Sequence, residues 1–166
     1  MSKRIVLTML VLISLLSFSS CGGIYVSEPK RADSRMEQII SAIKDKDKEA
    51  IKSLFSKKAI GEANDIDSEI DYLFDFLQGD INSWKRDGWA SDESIEYGKR
   101  SLLIRFAFIV NTEKDDYLLF VMDYNVDTIN PDNKGIYTME ITRLEDRDAI
   151  QRSWQERLNA GIHKLE

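Results

Sequence analysis

The stretch that decides the fold is residues 102–144, LLIRFAFIVNTEKDDYLLFVMDYNVDTINPDNKGIYTMEITRL. It holds three apolar segments, 102–110, 117–128 and 136–144, separated by two polar loops. Each segment alternates with period two, which predicts strands with one buried face. On this reading one face carries Leu102, Ile104, Phe106, Phe108 and Val110, then Leu118, Phe120, Met122, Tyr124 and Val126, then Tyr137, Met139 and Ile141. The other carries Arg105, Asp123, Asn125, Asp127, Thr138, Glu140 and Thr142. That asymmetry predicts an antiparallel sheet with helices on one face and water on much of the other. Residues 111–116 form one hairpin loop; Asn130-Pro131-Asp132-Asn133-Lys134-Gly135 form a second, with proline and glycine as turn residues.

Upstream of the sheet the period is helical. Ser34 with Glu37 has the form of a capping box, followed by an apolar stripe of Met36, Ile39, Ile40 and Ile43. Asp47 is placed to cap a second helix that buries Ala50, Ile51, Leu54 and Phe55. Asp65, Asp67, Glu69 and Asp71 open a third helix, where carboxylates complement the N-terminal dipole, and Gly79 closes it. Residues 81–85 and 91–97 read as two weaker strands joined by an Asp87-Gly88 turn. After Asp146 a short helical segment carries Ile150, Trp154 and Leu158, and a tail ends Gly161-Ile162-His163-Lys164. Helices first and strands after make an α+β domain.

The N-terminus supplies an address. Lys3 and Arg4 precede a short apolar run, residues 5–18, followed by Ser19-Ser20-Cys21-Gly22. These are the three parts of a secretory signal, and the run is shorter than the roughly 20 residues of a spanning helix. Phe18-Ser19-Ser20-Cys21 resembles the lipobox of bacterial lipoproteins, which implies a diacylglycerol, with its palmitate-type acyl chains, on Cys21. Two acyl chains anchor stably, since each buried CH₂ contributes about 0.8 kcal/mol. The resulting division is a signal peptide over 1–20, a lipidated tether over 21–33 and one domain over 34–166, held at the extracytoplasmic face of the cell membrane.

Composition narrows the partners. Removing Lys3 and Arg4 takes the basic count from 23 to 21 against 29 acidic residues, a balance of −8. A chain that acidic, without a basic stripe, is poorly suited to the phosphate backbone, so nucleic acid is not an expected partner. One cysteine excludes an internal disulfide framework.

The order of elements has a likeness. Ala42, Ile43, Asp47, Ala50, Leu54, Phe55 and Ala59, in that spacing, resemble the opening of nuclear-transport-factor-2-like domains. More narrowly, residues 51–59, 70–76, 94–99, Asn130-Pro131-Asp132-Asn133, Gly135-Ile136-Tyr137-Thr138 and Ala160-Gly161-Ile162 resemble a Gram-positive lipoprotein family known as a domain of unknown function, number 5104. The resemblance implies three N-terminal helices packed on a strongly bent antiparallel sheet of about four to six strands, a cone with a pocket at its mouth. His163 stands where the family leads one to expect tyrosine, and Lys85-Arg86 where it leads one to expect acid.

Chemistry-bearing patterns are sparse. Asp123, Asn125 and Asp127 mimic the first ligands of a calcium loop, but Thr128 takes the glycine position and Lys134 the place of the bidentate glutamate. His163 is the lone histidine, and the sequence names no acid partner for it. No phosphate loop, serine elbow or zinc-ligand spacing appears, and no cofactor or metal is expected. An aromatic lining of Trp84, Tyr97, Tyr124, Tyr137 and Trp154 would suit a small apolar ligand or a partner protein's side chain; as simply, these rings fill the core. The sequence therefore leads to a surface-anchored, non-enzymatic binding module. A small cone-fold isomerase or hydrolase and an immunity or inhibitor lipoprotein are the alternatives.

Overall fold

The computed structural model describes residues 26–149 and 159–164. The signal segment, Cys21, Ile150, Trp154 and Leu158 lie outside the described residues. Four helices precede the sheet: α1 (Glu28–Lys44), α2 (Lys48–Leu54), α3 (Lys57–Glu62) and α4 (Ile66–Phe76). Five strands follow: β1 (Ile81–Glu96), β2 (Lys99–Thr112), β3 (Asp116–Asp127), β4 (Gly135–Arg143) and β5 (Gly161–Lys164). The architecture is α+β, as the sequence predicts, with one more helix than expected.

Helix α1 starts at Glu28, six residues ahead of the predicted capping box at Ser34. Pro29 sits in its first turn, where a missing N–H costs nothing, and Ala32 is buried against the core. Residues 28–33 are therefore helical, with Ala32 packed into the core. Asp47 does cap α2, accepting from the Ala50 amide at 2.9 Å. The predicted second helix then breaks at Phe55, because its backbone pairs with Ile136 of β4 and the Ser56 amide donates to the Ile136 carbonyl at 2.9 Å. Ser56 restarts the helix as the N-cap of α3. Gly135 makes this contact possible: at φ 126° any Cβ would fall 2.8 Å from the Ser56 nitrogen.

The acidic cluster resolves into four separate structural jobs. Asp65 caps α4 through Ser68, Asp67 pairs with Lys52 at 2.8 Å, Asp71 pairs with Lys48, and Glu69 accepts the Ile162 amide at 2.8 Å. Two of these tie α2 to α4. The last fastens β5 to α4.

The sheet runs in the order β1-β2-β3-β4-β5. Strands β1 to β4 are an antiparallel meander, whereas β5 lies parallel to β4, so the sheet is mixed and not wholly antiparallel. The long connection over residues 144–160 is what permits a parallel return. Residues 81–96 form one strand, not two. Asp87 is skipped in the pairing with β2 and makes a bulge where the sequence reads as a turn.

Strand β2 presents the predicted face to the helices: Leu102, Ile104, Phe106, Phe108 and Val110 all join the main core. Strand β3 does not. Its helix-facing residues are Tyr117, Leu119 and Val121, set opposite Val110, Phe108 and Phe106. Phe120 and Met122 instead form a second cluster with Leu103 on the reverse face, with Tyr124 packed against it. Both phases of β3 are apolar, so alternation carries no information about which faces inward. The reverse face is not open to water: Phe120, Met122, Thr138, Glu140 and Thr142 are all buried there. A register shift opposite Leu102/Leu103 then returns Val126 to the helix side.

This phase puts Asp123 beneath α1, opposite Ile104, with 1% of its surface exposed. Arg35 of α1 donates to its Oδ2 from Nε at 2.8 Å and to its Oδ1 from Nη2 at 3.4 Å. Arg31 donates to Asn125 at 2.7 Å one turn earlier, and Arg86 of β1 approaches Asp33 at 3.6 Å. Polar contacts thus hold the first half of α1, and the Met36–Ile43 stripe holds the second.

Asp127, on the reverse face, organises the β3–β4 loop. Its carboxylate accepts from the amides of Ile129 and Asn130, from Asn133 Nδ2 and from Ser101 Oγ. Burial raises its pKa, but these hydrogen bonds outweigh burial and hold the carboxyl below the ordinary aspartate value. The stabilisation is therefore present above the unfolded-state pKa and lost as pH falls through the folded one. We expect Asp127→Asn to cost about 1–3 kcal/mol at neutral pH. Urea denaturation at about pH 3 should show that deficit shrinking; a deficit constant with pH would contradict this account.

Candidate functional site

A partly enclosed concavity lies where α1, α4 and β1 meet. Two helix ends and a turn build it. Helix α1 closes with the Asp47 amide reaching back to the Ala42 carbonyl and the Lys46 amide to that of Ile43. This termination needs a left-handed residue, and Lys46 supplies it at φ 51° where glycine is the usual choice. Helix α4 ends at Phe76, and Gly79, at φ 82°, turns the chain into β1.

The resulting cleft holds about 340 Å³. Its floor is Ile43, Phe74, Leu77 and Ile81; its rim is Lys44, Lys46 and Asp80. Lys44 also places its Nζ 5.4 Å from the centre of the Trp84 ring, so the indole extends the rim along β1. An apolar floor under two ammonium groups and one carboxylate suits a small apolar body with an anionic end.

Of the aromatic residues singled out from the sequence that are described, Trp84 alone adjoins this cleft. Tyr124 and Tyr137 come together elsewhere, edge to face at 6.5 Å. Tyr137 donates to Glu62 at 2.7 Å and lies under the Lys58 ammonium, 5.5 Å from its ring centre. Burial and the Glu62 contact push its hydroxyl up to about 12. Burial, reinforced by Asp127, raises Tyr124 as well. Tyr97 stands fully exposed in the β1–β2 turn, at the opposite end of β1 from Trp84. Trp84, Tyr97, Tyr124 and Tyr137 do not form one lining, and Trp154 lies outside the described residues.

A second concavity, about 480 Å³ and more open, lies between α4 and β5 and includes Ser68, Glu69, Tyr72 and His163. Here the lone histidine meets potential partners that the sequence could not name. Its Nε2 lies 2.9 Å from the Ala160 carbonyl, and Glu69 is held by the Ile162 amide. The Tyr72 hydroxyl is buried with no hydrogen-bond partner among the described residues, and burial pushes it up to about 12. It remains a neutral phenol at physiological pH, a donor beside Glu69 and His163. Among the described residues no group of three histidine, cysteine or carboxylate side chains converges as a metal site. Nor is any helix among them long and apolar enough to cross a membrane.

A family model matches residues 38–146, from within α1 to the turn after β4. The chain belongs to that family, Domain of unknown function (DUF5104). No curated protein matches the chain. The DUF5104 span takes in the whole α1/α4 cleft, together with Trp84, Tyr97, Tyr124 and Tyr137. It leaves out Arg35, β5 and His163. The cleft residues that sequence reading missed, Lys44, Lys46 and Asp80, sit at element ends, where helical periodicity says nothing about direction.

The strained lysine gives this cleft a test. Lys46→Gly should stabilise the fold by about 0.5–1 kcal/mol, because glycine adopts the left-handed conformation without penalty. Equilibrium urea unfolding measures it; a loss of stability would mean that the Lys46 side chain contributes more packing than its exposure implies.

Proposed function

We propose that the chain is a membrane-anchored lipoprotein of the Gram-positive type, whose nuclear-transport-factor-2-like domain binds a small apolar ligand or a partner's side chain without catalysis. In this reading a diacylglycerol on Cys21 holds the domain at the extracytoplasmic face. The helices form the inside of a cone, and the cleft of Ile43, Phe74, Leu77 and Ile81 is its mouth. The observation that carries the reading is the character of that cleft: an apolar floor with lysines at the rim, beside an exposed indole. The fate of Asp123 supports it further. In a cone-shaped enzyme a carboxylate on the helix side of the sheet would be the natural base, and here Arg35 engages both its oxygens.

Two measurements test the two halves separately. Mass spectrometry of the mature chain should find Cys21 as a diacylated first residue; an unmodified N-terminus at another position would remove the anchor. Methyl NMR during titration with decanoate should shift the resonances of Ile43, Leu77 and Ile81, with Lys44→Glu reducing the affinity several-fold. Shifts confined to other methyls, or none at millimolar ligand, would remove the binding site.

A further inference from the structure

Six large apolar side chains stand exposed among the described residues, and four of them, Trp84, Trp89, Ile95 and Tyr97, belong to β1 or the turn after it. This strand is also the free edge of the sheet. It is 16 residues long, and every position after Ile81 is exposed. Proteins ordinarily blunt such an edge by shortness, proline or scattered charge. Strand β1 is long, has no proline, and its charges are ordered: Lys85 and Arg86 early, Asp92 and Glu93 late.

That order is self-complementary. Asp87 is the extra residue of the bulge, so it drops out of the pleat count, and its carboxylate is bound by Arg147. Placing a two-fold axis at Ala90 then sets Trp89 opposite Ser91, Gly88 opposite Asp92, Arg86 opposite Glu93 and Trp84 opposite Ile95. The pairing with β2 shows that these last four share the helix-facing side: Trp84, Arg86 and Glu93 oppose the core residues Val110, Phe108 and Leu102, and Ile95 is one pleat period beyond Glu93. Arg86 already faces Asp33, and Glu93 already pairs with Arg100. Joining Arg86 to Glu93 of a second copy gives a row of four charges alternating in sign, with a tryptophan–isoleucine contact beside it.

We propose that the chain forms a two-fold dimer through antiparallel pairing of β1 with β1 of a second copy about Ala90, making one continuous sheet. The dimer satisfies the outward backbone groups of both edges and covers Trp84 and Ile95. Sedimentation equilibrium of the full chain, in density-matched detergent so that residues 5–18 do not drive association, should show a dimer at micromolar concentration. Arg86→Glu and Glu93→Arg should each weaken it by about tenfold or more, since the axis doubles every repulsion. The double variant, which swaps the signs across the contact, should recover part of the loss, since Asp33 and Arg100 then face like charges. Ala90→Cys, on the axis, should cross-link under mild oxidation where the parent, with Cys21 alone, does not; this variant serves if a charge reversal prevents folding. A monomeric parent, a charge variant as dimeric as the parent, a double variant no better than the single ones, or failure of A90C to cross-link would overturn the proposal.

Discussion

Asp123 is a carboxylate buried beneath a helix, and the rest of the domain is arranged so that this is tolerable. A lone buried carboxylate costs several kcal/mol in lost hydration unless a cation and hydrogen bonds replace the water. Arg35 supplies both, contacting each oxygen, and does so from the first half of α1, where no long apolar stripe holds the helix down. The pair therefore fixes how α1 crosses the sheet, tying it to β3. From that crossing follow the direction of the Met36–Ile43 stripe into the core and the position of the helix end that bears Lys44 and Lys46. The cleft is a consequence of that crossing.

Strand β3 shows how the same constraint hides from sequence reading. The helix-facing phase of β2 was legible, because Arg105 interrupts its other face. In β3 both phases are apolar from Tyr117 to Met122, so alternation alone picked Leu118, Phe120 and Met122 and sent Asp123 outward. Pairing with β2 decides otherwise. The capping box read at Ser34 lies inside α1, whereas the Asp47 cap was legible, since it acts through a short-range hydrogen bond that its sequence position announces. Breaks caused by distant backbone were not: the interruption at Phe55 depends on Ile136 and Gly135, eighty residues on. Nor was the union of the two halves of β1, where the apparent Asp87-Gly88 turn is a bulge. The site fared similarly. Trp84 reaches the cleft rim, but the lysines that give the cleft its character sit on a helix end.

Function and assembly then draw on different surfaces. The cleft opens at the ends of α1 and α4, whereas the free edge of β1 runs along the side of the sheet. A domain pairing through β1 would keep both clefts accessible, with Trp84 lying between the ligand rim and the subunit contact. The anchor proposed at Cys21 would add a geometric condition, since α1 begins seven residues after it. A connection that short would hold the domain close to the bilayer surface.

The anchoring of α1 by Arg35 is the claim on which the cleft, and with it the proposed function, depends. A double-mutant cycle on Arg35→Ala and Asp123→Ala, read by urea unfolding, measures it directly. Each single variant should lose about 3 kcal/mol or more, and the double variant much less than the sum, a coupling of at least about 2 kcal/mol. Losses that add to within about 0.5 kcal/mol would show that the two side chains do not act as a pair, and would contradict the account.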